Sequence, residues 1–167
     1  RSMKKLLIAS DSHGNFDALL RVVEAEPGAT DLIFLGDGLS DIYTVMDEHP
    51  ELRVYLVRGN CDFSQSESAE GLAAFDHQLF FYCHGDGYQV KCTLAGLKYA
   101  ARQRGADVVL FGHTHSPYYE YTDGLYVFNP GSVSRPRIGR PTYGLVIIED
   151  GIPHFYHKEV PSAPSLW

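Results

Sequence analysis

Positive charge is scarce in this chain. Lys and Arg total 14 against 21 Asp and Glu, a formal net charge of −7, which argues against a broad nucleic-acid-binding surface. Sulfur is scarcer still. Three cysteines, odd in number and without regular spacing, cannot form a disulfide framework and suit a reducing cytoplasm. Long apolar runs are missing: none approaches the roughly 18 residues of a membrane span. The first run is also too short, and lacks the cleavage signal, for a secretory leader. Neither an internal repeat nor a low-complexity tract is present. What remains is an ordinary globular composition, 44% hydrophobic over 167 residues, enough for one domain with a sizeable core. That domain is expected over residues 3–167, with Arg1-Ser2 ahead of Met3 read as an expression remnant.

Apolar patterning divides the chain into two styles. Lys4–Ser10, Asp31–Leu35 and Arg53–Val57 read as buried strands, and the segments between them as helices. Phe16, Leu19, Leu20 and Val23 make one apolar helical face behind an Asn15 cap, stopped by Pro27-Gly28. Ser40 or Asp41 is expected to cap the second helix, with Ile42, Val45 and Met46 inward and the end before Pro50. Strand–helix–strand alternation implies right-handed crossovers and a parallel sheet. The polar stretch Ser64–Gly71 reads as a solvated connection rather than a lid. After it, Leu72–Phe75 and Leu79–Cys83 form a hairpin turning at Asp76-His77. Thr93 is placed as the cap of a helix over Leu94–Arg102 that ends at Gly105, and Val108–Phe111 is a further strand. Tyr118–Tyr121, Leu125–Phe128, Tyr143–Ile148 and Ile152–His157 follow as strands, with hairpin turns at Asp123-Gly124 and Asp150-Gly151. The second half is therefore mostly antiparallel. These pieces build an α/β fold, a four-layer α/β/β/α sandwich of two mixed sheets.

Chemistry gathers where the strands end. Asp11 and His13 follow the first strand, Asp37 follows Gly36, and Asn60 follows Gly59. His84 precedes Gly85, and His113 and His115 follow Gly112. Strand C-termini are where open α/β sheets place ligands. The glycines at 14, 36, 59, 85 and 112 are expected to let the backbone turn sharply there. Seven side chains are too many for one tetrahedral ion. Carboxylate, amide oxygen and imidazole without thiolate suit Mn²⁺ first, with Ni²⁺, Fe²⁺ or Zn²⁺ also accommodated. Two ions need a shared oxygen ligand, and a carboxylate on a short turn such as Asp37 can bridge them. His113 and His115, two apart, can serve one ion each.

Asp11-x-His13, Gly36-Asp37, Gly59-Asn60, His84-Gly85 and Gly112-His113-x-His115, in this order, resemble the motifs of the calcineurin-like metallophosphoesterases. The short length and the Asn129-Pro130-Gly131-Ser132 segment are similar to the small phosphodiesterases of the YfcE type, a likeness that runs from about Lys4 to about Ile148. The resemblance implies the four-layer fold and a binuclear, metal-dependent phosphodiesterase. It puts one ion on Asp11, His13, Asp37 and His115, and the other on Asp37, Asn60, His84 and His113. A metal-bridging hydroxide then attacks phosphorus in line with the leaving oxygen. Asp37, Asn60 and His84 carry the catalytic roles, and Asn60 and Cys61 face the substrate.

One departure bears on the chemistry. The commoner family pattern has a histidine after Gly-Asn that protonates the leaving group or stabilises the transition state; here the segment is Gly59-Asn60-Cys61-Asp62. A thiol is a poor general acid unless its surroundings perturb it, so Cys61 reads as a spacer beside Asn60. Asp62 and Asp86 read either as acceptors that orient imidazoles or as solvated turn carboxylates. Cys83 and Cys92 are expected in the core. His49, His77, His154 and His157 are expected in surface or structural roles, and Arg135, Arg137 and Arg140 in a solvated loop.

Charge counting narrows the substrate. Two divalent ions bring four positive charges; Asp11, Asp37, the hydroxide and a phosphodiester monoanion cancel them, whereas a monoester dianion overshoots by one. A small phosphodiester, especially an aryl one, is the expected partner, without a membrane; a homo-oligomer is compatible with the sequence. The alternatives are a phosphomonoesterase, or a non-catalytic protein-binding scaffold like the small retromer subunit, which shares this fold.

Overall fold

The computed structural model describes residues 3–64 and 66–164; Arg1-Ser2, Gln65 of the polar stretch, and the last three positions of the expected domain lie outside the described residues. Strand β1 (Met3–Ala9) leads through α1 (Phe16–Ala25) to β2 (Asp31–Phe34), then through α2 (Leu39–Glu48) to β3 (Arg53–Leu56). β4 (Glu70–Phe75) and β5 (Gln78–Cys83) form a hairpin; α3 (Ala95–Gln103) and β6 (Val108–Leu110) follow. Two more hairpins close the chain: β7 (Tyr118–Thr122) with β8 (Leu125–Asn129), and β9 (Thr142–Glu149) with β10 (Ile152–Glu159).

The strands assemble into two five-stranded mixed sheets, ordered β10-β9-β1-β2-β3 and β4-β5-β6-β8-β7. Within them β1, β2 and β3 run parallel, as do β5, β6 and β8. The remaining pairings are antiparallel.

Alternation along the strands sets the layers. In β1, Leu6 and Ile8 face the second sheet, where they meet Phe80, Val108, Leu110 and Phe128. Leu7 and Ala9 face outward onto Leu19 and Val22 of α1 and Ile42 and Val45 of α2. Phe81, Val109 and Val127 likewise meet Leu97 and Ala101 of α3. Helix, sheet, sheet, helix is the expected order of layers, and the expected parallel and antiparallel styles are both present. The three hairpin turns, at Asp76-His77, Asp123-Gly124 and Asp150-Gly151, have positive φ at both central residues, the primed geometry that matches strand twist.

Local details differ from expectation where tertiary partners intervene. Asn15 caps α1 through the Ala18 N–H as foreseen. The cap position of α2 is Gly38, without a capping side chain of its own; the Gly38 and Leu39 N–H groups donate instead to Asp62 across the loop. Ser40 and Asp41 therefore lie inside the first turn. Leu94, not Thr93, is the cap position of α3. Glu70 and Gly71, placed in the polar stretch, pair with Cys83 and Tyr82 as the start of β4. Cys83 is buried, but Cys92 is exposed, because the turn that holds it precedes α3 on the surface. No helix among the described residues is long and apolar enough to cross a membrane.

Candidate metal centre

The parallel strands of both sheets point their C-terminal ends to one place. β1 delivers Asp11 and His13, β2 delivers Asp37, β5 delivers His84, and β6 delivers His113 and His115. Five of these residues, Asp11, His13, Asp37, His113 and His115, have φ between 45° and 70°. Non-glycine residues avoid that region, and strain of this kind persists where surroundings over-determine it. Gly14, Gly36 and Gly85 also have positive φ, as expected of turns. Gly59 and Gly112 serve a different need, close approach. A Cβ on Gly59 would lie 2.2 Å from Asp37 Oδ1, and one on Gly112 would lie 2.1 Å from Ser10 Oγ.

Asp11 is fully buried. Its Oδ2 accepts from the Ser10 hydroxyl at 2.6 Å and the His113 N–H at 3.1 Å. Its Oδ1 has no hydrogen-bond partner, yet it lies 3.3 Å from His115 Nε2 and 3.7 Å from the Nε2 atoms of His13 and His84. Burial opposes the charge of Asp11, but the three histidines and Ser10 outweigh it and hold the carboxyl well below its usual range. In Asp37, Oδ1 accepts the Cys61 N–H at 2.8 Å, while Oδ2 faces His84 Nε2 at 3.2 Å and His13 Nε2 at 3.7 Å.

The imidazoles are aimed by backbone carbonyls. His84 Nδ1 donates to Leu35 O at 2.6 Å, and His115 Nδ1 to Arg135 O at 2.7 Å. In the neutral rings each Nε2 is then a bare lone pair. Against burial, Asp37 and Asp11 push His84 up to about 8, so protons compete with any cation there. His13 Nε2 and His115 Nε2 face each other at 3.3 Å, and His113 Nδ1 faces His84 Nε2 at 3.2 Å. Converging lone pairs around an orphaned buried carboxylate oxygen fit a cation. Ligand atoms lie within 4.8 Å of one another in three groups: Asp11, His13 and His115; Asp11, Asp37 and His84; and His13, Asp37 and Cys61.

Six of the seven expected ligands therefore meet directly. The seventh, Asn60, is exposed, and its carboxamide is bonded to Cys61 Sγ at 3.6 Å. The Cys61 thiol is exposed, and partial burial together with the Asp37, Asp62 and Asp11 carboxylates pushes it up. The other histidines keep apart from the centre: His157 stacks on Phe128 and donates to Asn129 O, and His49 pairs with Glu51.

Support for the centre came from residues whose sequence context carried little signal. Asp62 orients no imidazole. It accepts from the N–H groups of Asp37, Gly38, Leu39 and Gly59 at 2.7–3.1 Å, and so fixes the Asp37 turn. Asp41, expected as a cap, accepts from the Ser12 hydroxyl and the Gly14 N–H. Ser132 and Ser134 donate to the Asp11 carbonyl, and Asn129 to the Gly112 carbonyl. The Asn-Pro-Gly-Ser segment thus braces the backbone under the ligands.

Comparison with known proteins agrees with this geometry. Residues 3–151 match the model of the calcineurin-like phosphoesterase superfamily domain. The probable metallophosphoesterase YsnB of Bacillus subtilis is 36% identical over 148 residues, covering 87% of this chain and 85% of its own. The phosphodiesterase YfcE of Escherichia coli K12 is 35% identical over 171 residues, covering 86% and 88%. Among solved structures, a predicted phosphoesterase of Streptococcus pneumoniae TIGR4 superposes with a TM-score of 0.78 at 21% identity, covering 95% of this chain and 99% of its own. A single mutant of Vps29 from Entamoeba histolytica superposes with a TM-score of 0.71 at 19% identity, covering 92% and 98%.

Proposed function

The chain belongs to the calcineurin-like phosphoesterase superfamily, and from that premise we propose that it is a binuclear metal-dependent phosphodiesterase acting on small diesters. The observation that carries the reading is the buried, unpartnered Asp11 Oδ1 with three imidazole nitrogens within 3.7 Å. Asp11, His13, Asp37 and His115 would hold one divalent ion; Asp37, His84 and His113 would hold the other, joined by Asn60 if its carboxamide turned from Cys61. Mn²⁺ suits this oxygen and nitrogen set. Such ions supply Lewis acidity toward a phosphoryl oxygen and lower the pKa of bound water.

The chain's own contribution is positioning and charge. Asp11 and Asp37 offset two of the four charges, and a hydroxide together with a singly charged diester balances the remaining two. The carbonyls of Leu35 and Arg135 keep His84 and His115 turned inward. At Cys61 the chain offers a thiol in place of a ready proton donor, which favours aryl esters whose leaving group departs unprotonated. Exposed thiols at Cys61 and Cys92 fit a reducing cytoplasm.

Metal analysis followed by paired assays on one preparation tests the reading. Two metal equivalents per chain, and Mn²⁺-dependent turnover of bis(4-nitrophenyl) phosphate above that of 4-nitrophenyl phosphate, are expected. Preference for the monoester would make it a phosphomonoesterase. The likeness to Vps29 gives a protein-binding scaffold its weight, and metal-free, inactive protein with a defined protein partner would favour that alternative.

A further inference from the structure

A cleft of about 280 Å³ opens at the loop that carries His113 and His115. Its floor and walls are Val90, Leu94, Phe111, Pro117 and Tyr118. The Phe111 and Tyr118 rings stand 6.2 Å apart at 60°. Thr114 and Ser116 complete one wall, alternating along the chain with His113 and His115. The cleft is therefore continuous with the loop that carries two of the metal-facing histidines. No charged side chain lines it. A second cleft, of about 420 Å³, includes Cys61 and is lined besides by Leu39 and Phe63, by Ser40, Tyr43, Ser64 and Ser66, and by Asp62. The exposed lining of the first cleft is mostly apolar, whereas that of the second is mostly polar and includes a carboxylate.

We propose that the apolar cleft is a subsite for a planar aromatic substituent on the phosphorus whose oxygens engage the metal centre. The inference rests on the phosphodiesterase reading and adds the class of organic group. The exposed Tyr118 ring, backed by the buried Phe111, offers a face to a planar group, and no charged side chain has to be desolvated against it. An alkyl group of one carbon reaches too little of the wall to gain from it. Because the Leu94 side chain stands at the cap position of α3, its replacement by Asn removes an apolar wall while installing a favoured capping residue. Cys92 is exposed at the cleft's rim, so Cys92→Trp plugs the cleft without touching the core.

Calorimetric binding of methylphosphonate and phenylphosphonate to the Mn²⁺-loaded chain tests the assignment without turnover. Phenylphosphonate is expected to bind at least about tenfold more tightly, about 1.4 kcal/mol. Both Leu94→Asn and Cys92→Trp should bring that ratio to about one, with methylphosphonate affinity unchanged. Cys92→Trp keeps the test open should Leu94→Asn fold poorly. Equal affinity of the two phosphonates in the wild type would overturn the subsite alone. A ratio that survives both substitutions would place the ring elsewhere and overturn it equally. If neither phosphonate binds, the phosphate site itself fails, and the subsite falls with the proposed function.

Discussion

The two ends of the first sheet bury acids in opposite ways. At the N-terminal ends of β1 and β2, Asp31 pairs with Lys4 at 2.9 Å and accepts from Thr30 and Tyr55. Nearby, Glu26 takes Lys158 at 2.5 Å, Lys5 at 3.7 Å and the Tyr143 hydroxyl at 2.7 Å. At the C-terminal ends, Asp11 and Asp37 are as deeply buried but meet only imidazoles, hydroxyls and N–H groups; among the described residues no lysine or arginine pairs with them. Buried charge without a paired cation is costly. A sequence that supplies lysines at one end and withholds them at the other has left the second end for a cation from outside. A wide cavity of about 490 Å³ beside Glu26, Thr30 and Arg53 lies at the lysine-paired end, where every buried acid is already matched, and it contains none of the site residues.

The largest effect that can break this contrast is Asp37→Asn. The amide keeps the acceptor for the Cys61 N–H but removes the charge and, with it, the proposed shared ligand. Diester turnover should vanish and both ions should bind weakly, while the metal-free protein loses stability near neutral pH, because burial opposes the Asp37 carboxylate but the facing His84 imidazole outweighs it and holds it below its usual range. Calorimetry on metal-stripped protein and metal counting on the reloaded protein measure both halves. Near-normal turnover with two ions per chain would end the bridging role of Asp37.

A smaller loss sharpens the same point one step from the ions. Asp62 touches no imidazole but receives four backbone N–H groups of the Asp37 turn. Asp62→Ala leaves those donors without their acceptor, and partners of this kind are worth about 10–100-fold in metal affinity or activity. Titration of Mn²⁺ into Asp62→Ala against wild type should find a loss in that range. Unchanged affinity would reduce Asp62 to a helix-capping role for α2.

Much of this was legible from residue types alone. Strand-end Asp and His beside glycine identified six side chains that do converge, because strand direction, set by apolar runs and crossovers, fixes where the following residue emerges. Less was legible wherever a partner lies far along the chain. Ser40 and Asp41 each obeyed the local capping rule and lost to geometry: Asp62 reaches α2 from 23 residues away, and Asp41 is spent on Ser12, 29 residues back, whereas Thr93, one position ahead of the cap of α3, still accepts the Ala95 N–H. Cys92 misled because apolar character says nothing about a turn's position on the surface. The glycine expectation was half met, since Gly59 and Gly112 admit neighbouring atoms rather than an unusual φ. Asn60 stood in the right segment, yet its carboxamide turns to Cys61.

The smallest expected effect belongs to the lysine-paired end and concerns stability alone. Glu26 is held below its ordinary value of 4.5: burial raises it, but Lys158, Tyr143 and Lys5 outweigh that. A carboxyl depressed in the folded state contributes stability that is fully present above its unfolded pKa and is lost as pH falls through the folded value. Glu26→Gln removes the charge and weakens a hydrogen-bonded charged contact, worth about 1.5–3 kcal/mol, with Lys158 half-exposed and so at the low end. Urea unfolding near neutral pH should therefore place Glu26→Gln about 1.5 kcal/mol below wild type. The gap should narrow once pH drops below 4.5 and continue to close below that, because the wild-type carboxyl is then taking up the proton that ends its advantage. Diester turnover at neutral pH should be unchanged. A gap constant across pH would mean that Glu26 acts by shape and not by charge, and a fall in turnover would erase the separation between the two ends of the sheet.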